Sequence, residues 1–146
     1  MLKAMLGAAC LFFTLISTSS ADVSQIEALA IVKAVDAPVI KKAHEEDSPG
    51  CMSTRYTFGD EIFSMKLEFK CDRINVAWNI SKEPQNSLLS RQASSLAQRA
   101  VVALTQGNGI EVERVLDGGR YKNRTFPNDL SLNGSCGTGI CLLTFR

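Results

Sequence analysis

The sequence predicts an α+β fold: an antiparallel β-meander with one long amphipathic helix packed across it, an N-terminal helix or helices, and a C-terminal β-hairpin. Three observations predict it. Apolar and polar residues alternate through Phe63 to Phe69 and again through Ile74 to Ile80, the period of strands wet on one face. Leu89, Ala93, Leu96, Ala97, Ala100, Val101 and Leu104 recur at helical spacing and form one continuous stripe. The chain closes on NGSCGTGICLLTFR, two cysteines around a glycine-rich turn followed by an apolar run.

Taken in order, the first residues read MLKAMLGAACLFFTLISTSSADV. A lysine, an uncharged apolar run from Ala4 to Ile16, and the small residues Ser19 and Ala21 match a secretory signal peptide cut after Ala21. The apolar run is shorter than the about 20 residues a bilayer span needs. Residues 1–21 are therefore expected to be a leader and residues 22–146 a single secreted domain. No transmembrane segment is expected after cleavage.

Ser24-Gln25-Ile26-Glu27 fits a capping box, and Ala28, Ile31, Val32 and Val35 follow at helical spacing. Pro38 breaks this helix, and Val39 to Glu46 is expected to form a second short one. EEDSPG then reads as a polar turn. Tyr56 and Phe58 open a three-stranded meander over residues 52–81, with turns at Gly59-Asp60 and Asp72-Arg73.

Pro84 and Asn86 lead into the long helix, residues 87–105. Its polar face carries Ser90, Arg91, Ser94, Ser95, Gln98 and Arg99, and Gly107-Asn108-Gly109 ends it. Residues 110–116 fit either a strand or two helical turns. Gly118-Gly119 and Pro127-Asn128 bound what reads as a long polar loop, and strands at Leu130–Cys136 and Cys141–Phe145 form the last hairpin. The helix stripe and the apolar face of the meander each lack a partner, and packing one on the other satisfies both.

Five cysteines are present, of which Cys10 lies in the leader. Cys51, Cys71, Cys136 and Cys141 remain, an even number that reads as two disulfides in an exported chain. The hairpin geometry favours Cys136 with Cys141 and Cys51 with Cys71. Pairing of Cys71 with a C-terminal cysteine stays open. Four residues between Cys136 and Cys141 do not fit the two-residue spacing of a redox motif, and disulfides would consume any zinc ligands. No metal site and no cofactor are expected.

Charge and chemistry narrow the function. Sixteen Lys and Arg stand against 15 Asp and Glu, and loss of Lys3 with the leader balances them. A neutral chain has no field to steer it to nucleic acid. His44 is the single histidine and has no evident nucleophile in sequence. Glu45-Glu46-Asp47 lacks the alternation of a calcium loop. No catalytic residues are assigned.

Arg114, Arg120, Lys122 and Arg124 surround Tyr121 and Phe126, residue types enriched where proteins bind proteins. These six are the candidate partner-binding residues. The expectation is a periplasmic or secreted protein-binding module with a protein partner in the cell envelope, an inhibitor or immunity protein of an envelope enzyme. The alternatives are an accessory subunit of an envelope assembly or secretion apparatus and an envelope hydrolase.

Overall fold

The structure, a computed structural model, describes residues 23–146. The expected leader, residues 1–21, lies outside them. The described chain is α+β, with seven antiparallel strands in one sheet and three helices on one of its faces. After a 3₁₀ turn at Val23–Gln25 come helix α1 (Ala28–Val35) and strands β1 (Val39–Ser48), β2 (Cys51–Gly59), β3 (Ser64–Phe69) and β4 (Ile74–Asn79). Helices α2 (Ser87–Thr105) and α3 (Ile110–Leu116) follow, then β5 (Tyr121–Thr125), β6 (Ser131–Cys136) and β7 (Ile140–Phe145). Spatial order is β1-β2-β3-β4-β7-β6-β5.

The expected meander is β2, β3 and β4, and its alternation is the core pattern. Met65 faces Trp78 and Leu67 faces Val76 across β3 and β4. The C-terminal strand continues the row, with Trp78 opposite Cys141, Val76 opposite Leu143 and Ile74 opposite Phe145. Helix α2 lies across β2, β3 and β4 and buries Ala93, Leu96, Ala97, Ala100, Val101 and Leu104 against them. The small Ala93, Ala97 and Ala100 let its backbone approach the sheet closely. Helix α1 packs on α2, and α3 packs on α2 and β6.

Several expectations need correction. Val39 to Glu46 is not a helix but most of β1, an edge strand paired with β2. Its Lys-Lys-Ala-His-Glu-Glu run has helical propensity, but cross-strand partners outweigh it. Ser53 Oγ donates to the Glu45 carbonyl at 3.1 Å and His44 bonds Thr54 at 3.0 Å. Helix α1 starts at Ala28 with Glu27 as its N-cap, so Ser24 falls in the preceding 3₁₀ turn rather than at the cap. The first meander turn sits one residue later than expected, over Asp60 to Phe63. There Asp60 Oδ1 accepts the Ile62 N–H at 2.9 Å and Phe63 N–H at 3.4 Å, a side-chain-capped turn. The polar loop after Gly119 contains a strand, β5, paired with β6.

Residues 110–116 are helical because Val112 and Val115 share one buried face with Glu111. The left-handed residue ending α2 is Gln106, not a glycine. Gly109 carries its own constraint: its φ is +75°, and a Cβ there would lie 2.6 Å from Gln98 Cγ. Two residues of the expected polar face of α2 also work inward. Ser90 is buried and accepts the Ser81 N–H at 3.1 Å, and Arg99 Nη1 donates to the carbonyls of Val35 and Asp36 at the end of α1.

Both favoured disulfides are present. Cys51 and Cys71 are bridged with a Cα separation of 6.0 Å, Cys136 and Cys141 with 3.9 Å. The second pair is closer than the about 4.4 Å at which disulfide Cα separations usually begin. Gly137 N–H bonds the Ile140 carbonyl at 2.8 Å, which leaves the next pair, Cys136 and Cys141, at the narrow non-hydrogen-bonded spacing.

Candidate binding surfaces

The predicted partner-binding residues divide once their contacts are known. Arg124 lies on β5 opposite Leu132, on the helix side of the sheet. Its guanidinium sits 5.5 Å from the Tyr121 ring centre and 5.3 Å from that of Phe126, and 3.5 Å from Glu111 Oε1. Phe126 packs in turn against Phe145. Three of the six residues thus tie β5 to α3 and the core. Arg114, Arg120 and Lys122 are exposed.

Glu111 is the reason Arg124 matters to the fold. Its carboxylate is almost wholly buried, its Oε2 has no hydrogen-bond partner, and Arg124 is its ion partner among the described residues. An ionised carboxylate in such a place is costly without a counter-charge. Arg124→Ala is expected to lower stability by about 1–3 kcal/mol. Thermal melts of Arg124→Ala, Glu111→Gln and the double variant check it, because the double should lose less than the sum of the singles.

Among the described residues, the opposite face of the sheet carries no helix. In each strand the residues between the core positions point there: Thr57, Lys66, Ala77 and Leu142 form one row across β2, β3, β4 and β7. Ser64, Asn79 and Ile140 form the next, and Asn79 Oδ1 accepts from both the Ser64 backbone and hydroxyl. Where these rows meet the β2–β3 turn there is a cleft of about 650 Å³, lined by Ile40, Lys41, Thr57, Gly59 to Ile62, Ser64, Lys66 and Asn79. Ile62 of the lining is 75 % exposed, and on the neighbouring strand β7 Ile140 is 50 % and Leu142 43 % exposed. Sequence reading missed this surface because its residues come from four strands and a turn.

The far corner of the same face is a charge network. Arg55 Nε donates to Glu68 at 2.8 Å, and Arg55 also reaches Glu45 at 3.2 Å. Lys70 pairs with Asp47 and with Glu68, and Arg73 pairs with Asp47 at 3.5 Å. Burial pushes the Glu68 carboxyl up, but hydrogen bonds from Arg55 and Lys70 and their charges together outweigh it, and its pKa falls below the usual value. The Lys70 hydrogen bond, foremost, lowers that of Asp47, with the Lys70 and Arg73 charges adding to it against some desolvation.

Carboxylates depressed in the fold stabilise it above their unfolded pKa, about 4, and that contribution is lost as pH falls through the lower folded value. Unfolding free energy should therefore hold from neutral pH to about pH 5 and fall below about pH 4. Lys70 is shifted up, chiefly by its hydrogen bond to Asp47, so its contribution persists to alkaline pH and is lost only above about 10.4. Glu68→Gln is expected to cost about 1–2 kcal/mol at pH 7 and to flatten the acid limb, read by urea unfolding at pH 7 and pH 3.

His44 does have a hydroxyl beside it: Thr54 Oγ1 lies 3.0 Å from Nδ1, across β1 and β2 on the exposed edge. The sequence did not reveal this pair, since ten residues and a turn separate the two. Among the described residues no cluster of three or more His, Cys, Asp or Glu side chains could hold a metal ion. Nor, among them, is any helix long and apolar enough to cross a membrane.

The fold and its surfaces define a two-layer α+β protein, stapled by two disulfides, with one sheet face that no helix covers among the described residues. Comparisons with protein-family models, curated proteins and solved structures find no match to this chain.

Proposed function

We propose that this chain is an exported, disulfide-stabilised protein-binding module, acting in the periplasm or outside the cell as an inhibitor or immunity protein of an envelope enzyme. The observation that carries the reading is the sheet face that no helix covers among the described residues, where Ile62 lines a cleft and Ile140 and Leu142 stand exposed beside it on β7. Exposed apolar side chains gathered on one face, rimmed by polar ones, mark association surfaces. Lys41 and Lys66 share that cleft with Asp60 and Glu61, a mixture that suits a protein surface better than a polyanion. The leader-like N-terminus and the two disulfides support export. The exposed Arg114, Arg120 and Lys122 make a second, basic surface near the opposite edge.

The test is capture of partners from an envelope extract by tagged protein with its disulfides intact, followed by affinity measurement. Lys66→Glu combined with Leu142→Asp is expected to weaken binding by more than about tenfold. Arg120→Glu with Lys122→Glu is expected to stay within about twofold of wild type, since rim charges act mainly on association rate. The reverse pattern moves the site to β5. Absence of any partner, with turnover of an envelope substrate that fails in His44→Ala, replaces the binding module by an enzyme.

A further inference from the structure

The two edges of the sheet are built differently. β5 is five residues long, is broken by Asn123 at φ 53° with a shifted register, carries Lys122 and Arg124 and is preceded by Arg120. A second β5 laid against it would set cation against cation, and bulges and charge are how edges are kept from pairing. β1 is ten residues long, exposed at every position except the half-buried Ala43, and has a regular register from Lys41 to Glu46. Its outer side pairs with no strand among the described residues.

Its charges are also ordered. Lys41 and Lys42 precede Ala43 and His44, and Glu45, Glu46 and Asp47 follow. Neither lysine makes an ion pair among the described residues. An antiparallel copy reverses that order, so the basic half of one strand meets the acidic half of the other. A twofold axis perpendicular to the sheet pairs residues that point to the same face. With His44 on that axis, Lys42 stands opposite Glu46 of the second copy, both on the helix side. The next pair outward, Lys41 and Asp47 of the second copy, falls at the Glu46/Ser48 register shift and lies outside the paired run. A slip of two residues either way leaves Lys42 facing His44 or Ser48 instead of a carboxylate.

The geometry points to a homodimer joined through β1, two seven-stranded sheets continuing across the twofold axis as one. Opposite charges directly across a strand pair favour the register, and like charges there oppose it. The register shifts at Val39/Lys41 and Glu46/Ser48 confine pairing to the regular run. The defended β5 edge closes the assembly at two copies. Asp47 already holds Lys70 and Arg73, so the Lys42–Glu46 contact is the one that decides.

Sedimentation velocity on the disulfide-intact chain, across a concentration series, tests this. Wild type is expected to dimerise with a Kd below about 1 mM, the range of the weakest specific contacts. Lys42→Glu puts a carboxylate against Glu46 and raises Kd at least about tenfold, both contacts of the twofold being affected. The double variant Lys42→Glu/Glu46→Lys restores the pairing with signs exchanged, and Kd returns to within about threefold of wild type. Recovery is a stringent result, because Glu46→Lys also loses the carboxylate that accepts the Gly50 N–H. Wild type that stays monomeric at about 1 mM, or a double variant no tighter than Lys42→Glu, overturns the proposal. These are exposed positions where substitution leaves the monomer folded, checked by far-UV circular dichroism. Lys42 and Glu46 lie away from the cleft, so failure here leaves the cleft reading standing.

Discussion

Replacing Trp78 by alanine is expected to lower the unfolding free energy by about 3–5 kcal/mol, the largest effect of any single substitution in the described chain. Trp78 is 1 % exposed, lies in β4 between Met65 of β3 and Cys141 of β7, and is the largest fully buried side chain. The cost combines lost transfer of the ring from water with the cavity it leaves under α2. Domains of this size hold about 5–15 kcal/mol in total, so a fifth or more of the stability rests on one ring. Trp78→Phe should cost far less, about 1–2 kcal/mol. The indole N–H has no hydrogen-bond partner among the described residues, so phenylalanine removes volume but breaks no bond seen there. Urea unfolding followed by circular dichroism measures both, because the only tryptophan is lost in each variant. A loss under about 1 kcal/mol in the alanine variant would mean that residue 78 faces outward, a one-residue slip of β4.

Removing the Cys51–Cys71 bridge by double alanine substitution is expected to cost about 3 kcal/mol, and removing Cys136–Cys141 about 2 kcal/mol. The difference follows from the loops closed: the cysteines are 20 residues apart in the first case and 5 in the second. A longer loop restricts the unfolded chain more. The first bridge also sits beside the Asp47–Lys70–Arg73 ion pairs, so its loss should loosen β1 at the same corner. Thermal melts of the two double variants give the order. If the Cys136–Cys141 variant lost more, native packing of the hairpin rather than chain entropy would be setting the effect.

The candidate surfaces show where sequence reading stops. The basic cluster from Arg114 to Phe126 was visible because its residues are neighbours in sequence. What Arg124 does was not, since its partner Glu111 arrives by the packing of α3 against β6. The open-face cleft was invisible for a related reason. Lys41, Thr57, Lys66 and Asn79 come from four different strands and are gathered only by strand register. The charged run of β1 fits a helix as well as a strand, so nothing local marks it as a sheet edge.

By itself the sequence determined what depends on near neighbours. The period-two runs of β3 and β4, the stripe of α2 and the spacing of the four cysteines are local signals, and each came through to the described structure. Tertiary structure decided the rest. Val39 to Ser48 became a strand because β2 offered partners for its backbone. Residues 110–116 became a helix because Val112 and Val115 found a core beneath them. The order of strands placed β7 beside β4 and left β1 and β5 as edges. Strand order and edges come from pairing between distant segments, and no local pattern encodes that free energy.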